Sequence, residues 1–385
     1  MKKLIAAFLV TGFFLTFFIN IKDAEAIPAF ARKYKVSCNT CHVAIPKLKA
    51  YGEDFAANAF VLPDGEEPKR EFIDTGDETL ILMRDFPIAV RFDAFFKAED
   101  SDQAKTDFEM PFGIKLMSGG RVSNKVSYYF YFYMNEKGEV AGVEDAYLHF
   151  NNIAGTNFDV IAGQFQVSDP LFKRELRLTY EDYQIYGVGA GDSEVDLKYD
   201  RGLILTYGFD FGLDLTAEVL NGNGIGASET GFFDRDSRKN LAGRASQDLG
   251  FGRIGAFGYS GSEKVNGQVN DVTYIGPDAT FGGEMWELNI QALRRQDSKP
   301  DSVSKKITTD GGFAELLFMP NGDRSKWFFT ALYNKVNSDI DRYDYETATL
   351  SVSHLAARNL RIVMEYTHDI KLKKPRFVLG FVSAF

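Results

Sequence analysis

The chain has 385 residues but only two cysteines and four histidines, and Ser37-Cys38-Asn39-Thr40-Cys41-His42 places both cysteines directly before one histidine. Several chemistries use thiols at this spacing. A disulfide between Cys38 and Cys41 would enclose two residues and stabilise little, because the loop-entropy gain grows with loop length. A zinc site needs about four ligands, and the chain has no second cysteine pair. A thioredoxin-like pair belongs at the head of a helix in a βαβ pattern, which is absent here. Cys-x-x-Cys-His has its own chemistry: two thioethers tether the vinyl groups of a porphyrin, and the adjacent imidazole reaches its iron. The motif therefore predicts one covalent haem c, with Cys38 and Cys41 as thioether donors and His42 as the proximal iron ligand.

Such a motif needs elements to cover the porphyrin. Pro46 suits the first position of a helix, and Leu48, Tyr51, Phe55 and Ala59 then recur at helical spacing. The apolar face they form is expected to lie against the haem. Residues 27–75 make a small α-helical monohaem segment, too short to wrap its cofactor alone. It must borrow shelter from the rest of the chain.

Upstream, Met1-Lys2-Lys3, an apolar run from Leu4 to Ile21 and Ala24-Glu25-Ala26 describe a secretory leader over residues 1–26. Covalent haem attachment outside the cytoplasm agrees with that export. The formal charge is −10, and it becomes −11 without the leader, which carries three Lys against one Asp and one Glu. An acidic chain of this kind is not built for nucleic acid.

Residues 76–385 have a different period. From Phe86 onward, apolar residues alternate with polar ones. Phe108, Met110, Phe112, Ile114 and Leu116 share one face; so do Val126, Tyr128, Phe130, Phe132 and Met134; so do Leu360, Ile362, Met364 and Tyr366. Turn-rich stretches separate these runs. Alternation alone would also suit a soluble sandwich. The run lengths fit a tilted membrane crossing of roughly 9–11 residues. Aromatics make up 14 % of the chain, with 35 Phe, and cluster near strand ends as girdles do. The last strand carries Phe377, Leu379, Phe381 and the terminal Phe385, and resembles the insertion signal of bacterial outer-membrane barrels. At roughly 19 residues per strand and connection, the predicted fold is an all-β transmembrane barrel of about 16 antiparallel strands. Longer loops are expected at 167–199 and 220–240.

The segment with Pro28, Phe30-Ala31-Arg32, Cys38, Cys41, His42, Pro46, Leu48 and Gly52 resembles the N-terminal signature of the fused outer-membrane cytochrome c–porins. This family includes iron-oxidising outer-membrane cytochromes. The likeness covers about 30 residues, and the chain departs from it at Lys35 and Tyr51. It implies a bacterial outer-membrane location and electron exchange with an extracellular donor or acceptor, ferrous iron among them. A second likeness, weaker, links "VEDAYLHF" and "GQFQVSDPLFKREL" to a strand–loop element of phosphate-selective-type porins. It implies that Lys173, Arg174 and Arg177 line an anion-attracting constriction.

The expected function is electron transfer across the outer membrane, with outer-membrane lipid around the barrel and a soluble periplasmic carrier, such as a cytochrome, as partner. The alternative is a porin in which the haem segment serves as a plug or sensor. A haem peroxidase fits poorly, since no distal His–Arg pair can be located. For the sixth iron position, strand counting places His149 at the terminal mouth of the barrel, facing the lumen with Asp145 and Tyr147. Met83, just before the first strand, is its rival. His354 falls on the lipid face, and His368 near the opposite mouth.

Overall fold

The computed structural model describes residues 29–62, 72–73, 75–76, 82–84, 86–101, 104–123, 125–228, 231–301 and 306–385. The expected leader lies outside them. Sixteen antiparallel strands close into one barrel, from Ile88–Glu99 to Lys374–Ala384. Each pairs with its sequence neighbours, and the last pairs with the first, Phe381 opposite Ala94. Chain entry and chain end therefore share one rim, here the terminal mouth, where Val90 and Phe385 exchange both backbone hydrogen bonds (2.7 and 2.9 Å).

The wall is inside out relative to a water-soluble protein. Along Tyr345–Ala357 the small polar residues Thr347, Thr349, Ser351 and Ser353 are buried toward the lumen, while Leu350 is 64 % exposed on the outside. A soluble sandwich would bury the leucine. Leu241, Ile275, Phe318, Phe329, Tyr366 and Phe381 are exposed on the other strands. An apolar outer belt around a polar lumen spans a membrane.

Two connections are long, 167–198 and 221–239, and strand parity puts both at the far mouth. The first folds back into the lumen. The alternation breaks at one place: opposite Asp93–Phe95 the strand Thr106–Ser123 carries extra residues around Met110–Pro111. That bulge turns Phe112 inward, against Phe95 and Tyr180 (centroids 5.1 and 5.5 Å), and off the face it shares in a regular strand.

The N-terminal segment sits in the terminal mouth. Helix α1 spans Ala29–Tyr34 and helix α2 Ala50–Ala57. Pro46 does not open a helix. Lys47–Leu48 pairs back on His42–Ala44, and the Lys49 amide bonds to the Cys41 carbonyl at 3.0 Å, so helical backbone starts only at Ala50. The segment touches opposite walls. Lys47 reaches Glu287 at 2.6 Å and Lys49 reaches Asp323 at 3.0 Å. Asn151 donates to Asn58 at 2.9 Å, and Phe60 stacks on Tyr129. Ile45 packs with Phe95, Val363, Val378 and Val382. The barrel shelters the segment.

Candidate functional site

Between this segment and the infolded connection lies a chamber of about 1300 Å³. Cys38, Cys41 and His42 all line it, together with Leu48 and Phe55 of the same segment. Both thiols are unpaired and partly buried. Burial pushes each thiol above its ordinary pKa, with Lys49 partly offsetting this at Cys41. His42 places Nδ1 3.1 Å from the carbonyl oxygen of Pro46. A carbonyl only accepts, so Nδ1 carries the proton and Nε2 keeps its lone pair. Burial holds the ring below its ordinary pKa, outweighing the hydrogen bonds to the backbone of Pro46 and Lys47. The neutral tautomer a metal needs is thus the one the fold stabilises.

Among the described residues, no three His, Cys, Asp or Glu side chains come together to hold a bare metal ion, and these three are no exception. Two thiols and one imidazole that share a chamber without converging on one point fit a larger group. A porphyrin takes thiols at its rim and an imidazole at its centre.

Phe55 is buried and meets Phe30, Tyr34 and Phe60 in ring contacts of 5.2–5.9 Å. That aromatic cluster fixes helix α2 beside the motif. Tyr51, grouped with Leu48 and Phe55 by helical spacing, does not line the chamber, because the helix begins four residues later than Pro46.

His149 faces the lumen and lines the same chamber as Cys41 and His42. Its Nε2 lies 3.1 Å from Asp159, whose other oxygen accepts the Asn152 amide at 2.7 Å. Asp159 carries no motif and escapes any reading of strand period alone. Met83 is not brought to the chamber. Its sulfur lies 3.1 Å from where a Cβ on Gly120 would stand, beside Tyr128. Neighbouring Gly119 points the other way, at Phe30 and Tyr129 in the lumen. Successive strand residues face opposite sides, so Met83 lies against the outside of the wall and cannot serve as a ligand here.

The basic trio of the infolded connection is neutralised within it. Lys173 meets Asp169 at 2.6 Å, Arg174 pairs with Asp182, and Arg177 stands 3.6 Å from Asp182. Lys173 and Arg177 line the chamber, each beside one of these carboxylates. His354 packs at a tilt against Trp327 on the outer face (centroids 4.3 Å), and His368 lies at the far end of its strand, as strand counting requires.

Solved structures share this architecture. The chain is similar to the loop L8 deletion mutant of OmpT, an outer membrane protein of Vibrio cholerae, at 15 % identity and a TM-score of 0.56, covering 78 % of this chain and 99 % of that one. Salmonella typhi OmpF, in complex with Daunomycin, aligns at 9 % identity and a TM-score of 0.55, covering 78 % and 97 %. Pseudomonas putida OprB aligns at 11 % identity and a TM-score of 0.50, covering 78 % and 94 %. At such identities the likeness is one of fold. No family model and no curated protein matches the chain. The fold defines the class: a sixteen-stranded barrel of the outer-membrane, porin type.

Proposed function

We propose that the chain is an outer-membrane electron-transfer protein. In this reading residues 27–75 hold one covalent haem c inside the periplasmic mouth of a barrel formed by residues 76–385. The observation that carries the reading is the shared chamber: Cys38, Cys41 and His42 all line it, while the His42 Nδ1 is held by Pro46. Long connections favour the outer side in such barrels, which makes the far mouth extracellular and the terminal mouth periplasmic.

Cys38 and Cys41 would provide the thioethers and His42 the proximal ligand. Leu48 and Phe55 would exclude water from one side, and the aromatic cluster would keep them there. Lys47 and Lys49, tied to Glu287 and Asp323, orient the motif against the wall. His149 is the ring on the chamber wall that would take the sixth position, by releasing Asp159. A bound haem supplies a one-electron change at its iron; the protein supplies ligation, burial and orientation. Partners on this reading are a soluble periplasmic carrier and an extracellular donor or acceptor, with ferrous iron suggested by the resemblance of the motif region.

The porin-type structural likenesses favour a second reading, a channel in which the haem segment is a plug or sensor. One experiment separates them. Purified protein in liposomes, with ferrous iron outside and a reducible dye enclosed, is expected to reduce the dye, and Cys41→Ala is expected to lose most of that rate. Passage of ions with no dye reduction would select the channel.

A further inference from the structure

We infer that the connection 167–198 is a diaphragm that closes the lumen to ions and solutes, leaving the chamber open toward the periplasm alone. The closure rests on packing around the whole circumference. Leu171, Tyr183, Ile185, Tyr186 and Leu197 of the connection form one buried cluster with wall residues of nine successive strands, from Phe165 round to Val336. Tyr147, on the strand before these, packs against the same cluster.

The remaining six strands hold the connection by polar contacts. Glu365 accepts the amides of Tyr180 (2.7 Å) and Glu181 (2.9 Å), and Arg376 pairs with Glu181. Tyr345 and Thr347 also donate to Glu181. Arg361 donates to the Leu178 carbonyl at 2.6 Å. On the other side Lys115 and Tyr133 each reach Glu175 at 2.9 Å, and Arg91 donates to its carbonyl at 3.2 Å. All sixteen strands thus contribute to one disc.

The cavities on either side agree. A smaller one of about 330 Å³ at the far mouth, lined by Asp192, Glu194, Asn223 and Asn266, shares no lining residue with the chamber. An ion crossing the disc would have to leave water for a packed apolar cluster on one side or displace already paired charges on the other, and a transfer into the apolar part costs several kcal/mol or more. Lifting the disc would part Glu181 from Arg376, Tyr345 and Thr347 and take two amide donors from Glu365, leaving Glu365 and Arg376 only each other and Thr367. The seal follows from geometry alone. Its use, to shield a redox group from the outside while electrons cross, rests on the function proposed above.

Two measurements on the haem-loaded full protein test this. In planar bilayers the unaltered protein is expected to conduct about tenfold or more below a variant with 170–196 replaced by a short Gly/Ser turn, because a bare sixteen-stranded barrel leaves an aqueous channel. A steady porin-sized conductance from the unaltered protein overturns the seal, whether or not the variant folds. The second measurement uses a bulky impermeant maleimide added from outside. Asn266→Cys, on the outer cavity, is expected to label, and Thr216→Cys, on the chamber, to label only from the periplasmic side. Outside labelling of Thr216→Cys overturns the proposal. Labelling of Cys38 and Cys41 in the unaltered protein from the periplasmic side would instead count against bound haem and leave the seal standing.

Discussion

Gly52 lies directly against the carbonyl of Cys41: a Cβ at Gly52 would come within 2.3 Å of that oxygen and 3.0 Å of its carbon. Both partners are backbone, so neither can swing aside. Helix α2 can cover the Cys-x-x-Cys-His turn only with glycine at this position. Gly52→Ala should therefore push the helix off the motif, at a cost of about 1–3 kcal/mol. The expected result is a lower haem-to-protein ratio in protein that still assembles as a barrel. An unchanged ratio would refute the contact.

Because Cys38 and Cys41 are the only thiols in the chain, covalent attachment has a simple signature. Haem staining should survive boiling in detergent and denaturing electrophoresis, and should be lost from the band when both cysteines are replaced by alanine. Stain that leaves the unaltered protein on boiling contradicts two thioethers.

How much of this could be read in the sequence depends on where the determining contacts lie. Strand period and parity are local, so the strand number, the lumenal face of His149 and the lipid face of His354 follow from counting. Phe112 breaks that counting, because two extra residues around Pro111 turn it inward within a local bulge, while the faces before and after the bulge keep their phase. The start of helix α2 was hidden because Lys47–Leu48 pairs back on the motif, a contact that helical spacing does not encode. Lys173, Arg174 and Arg177 look like free pore charges until their partners Asp169 and Asp182 are placed. The diaphragm was least legible. Its anchors Arg361, Glu365 and Arg376 lie about 180 residues or more from the atoms they hold.

His149 and Asp159 make the sixth position testable. If His149 serves the iron, His149→Ala should convert a low-spin haem spectrum to high spin. Asp159→Asn, which weakens the existing bond to Nε2, should keep the low-spin bands. Unchanged bands in His149→Ala would remove it as a ligand, with haem attachment unaffected.

The closing seam depends on the last residue. Phe385 donates to Val90 at 2.9 Å and accepts from it at 2.7 Å, continuing the ladder that joins the last strand to the first. Deleting Phe385 removes both bonds and an exposed aromatic at the rim. The heat-modifiable, folded fraction on semi-native gels should fall; an equal fraction would exclude a role in assembly.

Acid provides a test of the diaphragm, because two carboxyls of the connection, Glu175 and Asp182, are held by cations. Burial alone would raise the pKa of Glu175, but Lys115, Arg177 and Arg91 outweigh it and hold the group well below its ordinary 4.5. Burial is likewise outweighed at Asp182 by Arg177 and Arg174, which hold it below 3.8. A carboxyl with a depressed folded-state pKa stabilises the fold above its unfolded value, and that contribution is lost as pH falls through the folded value. The loss therefore begins below about pH 4.5 and completes only at much lower pH. The barrel should stay closed at about pH 4, where an unpaired glutamate would already be mostly protonated. Lys115→Ala should move the onset of leakage toward the ordinary glutamate range. Liposomes loaded with a small dye and titrated with acid would report it, and release from the unaltered protein already at about pH 5 would refute the role of these pairs.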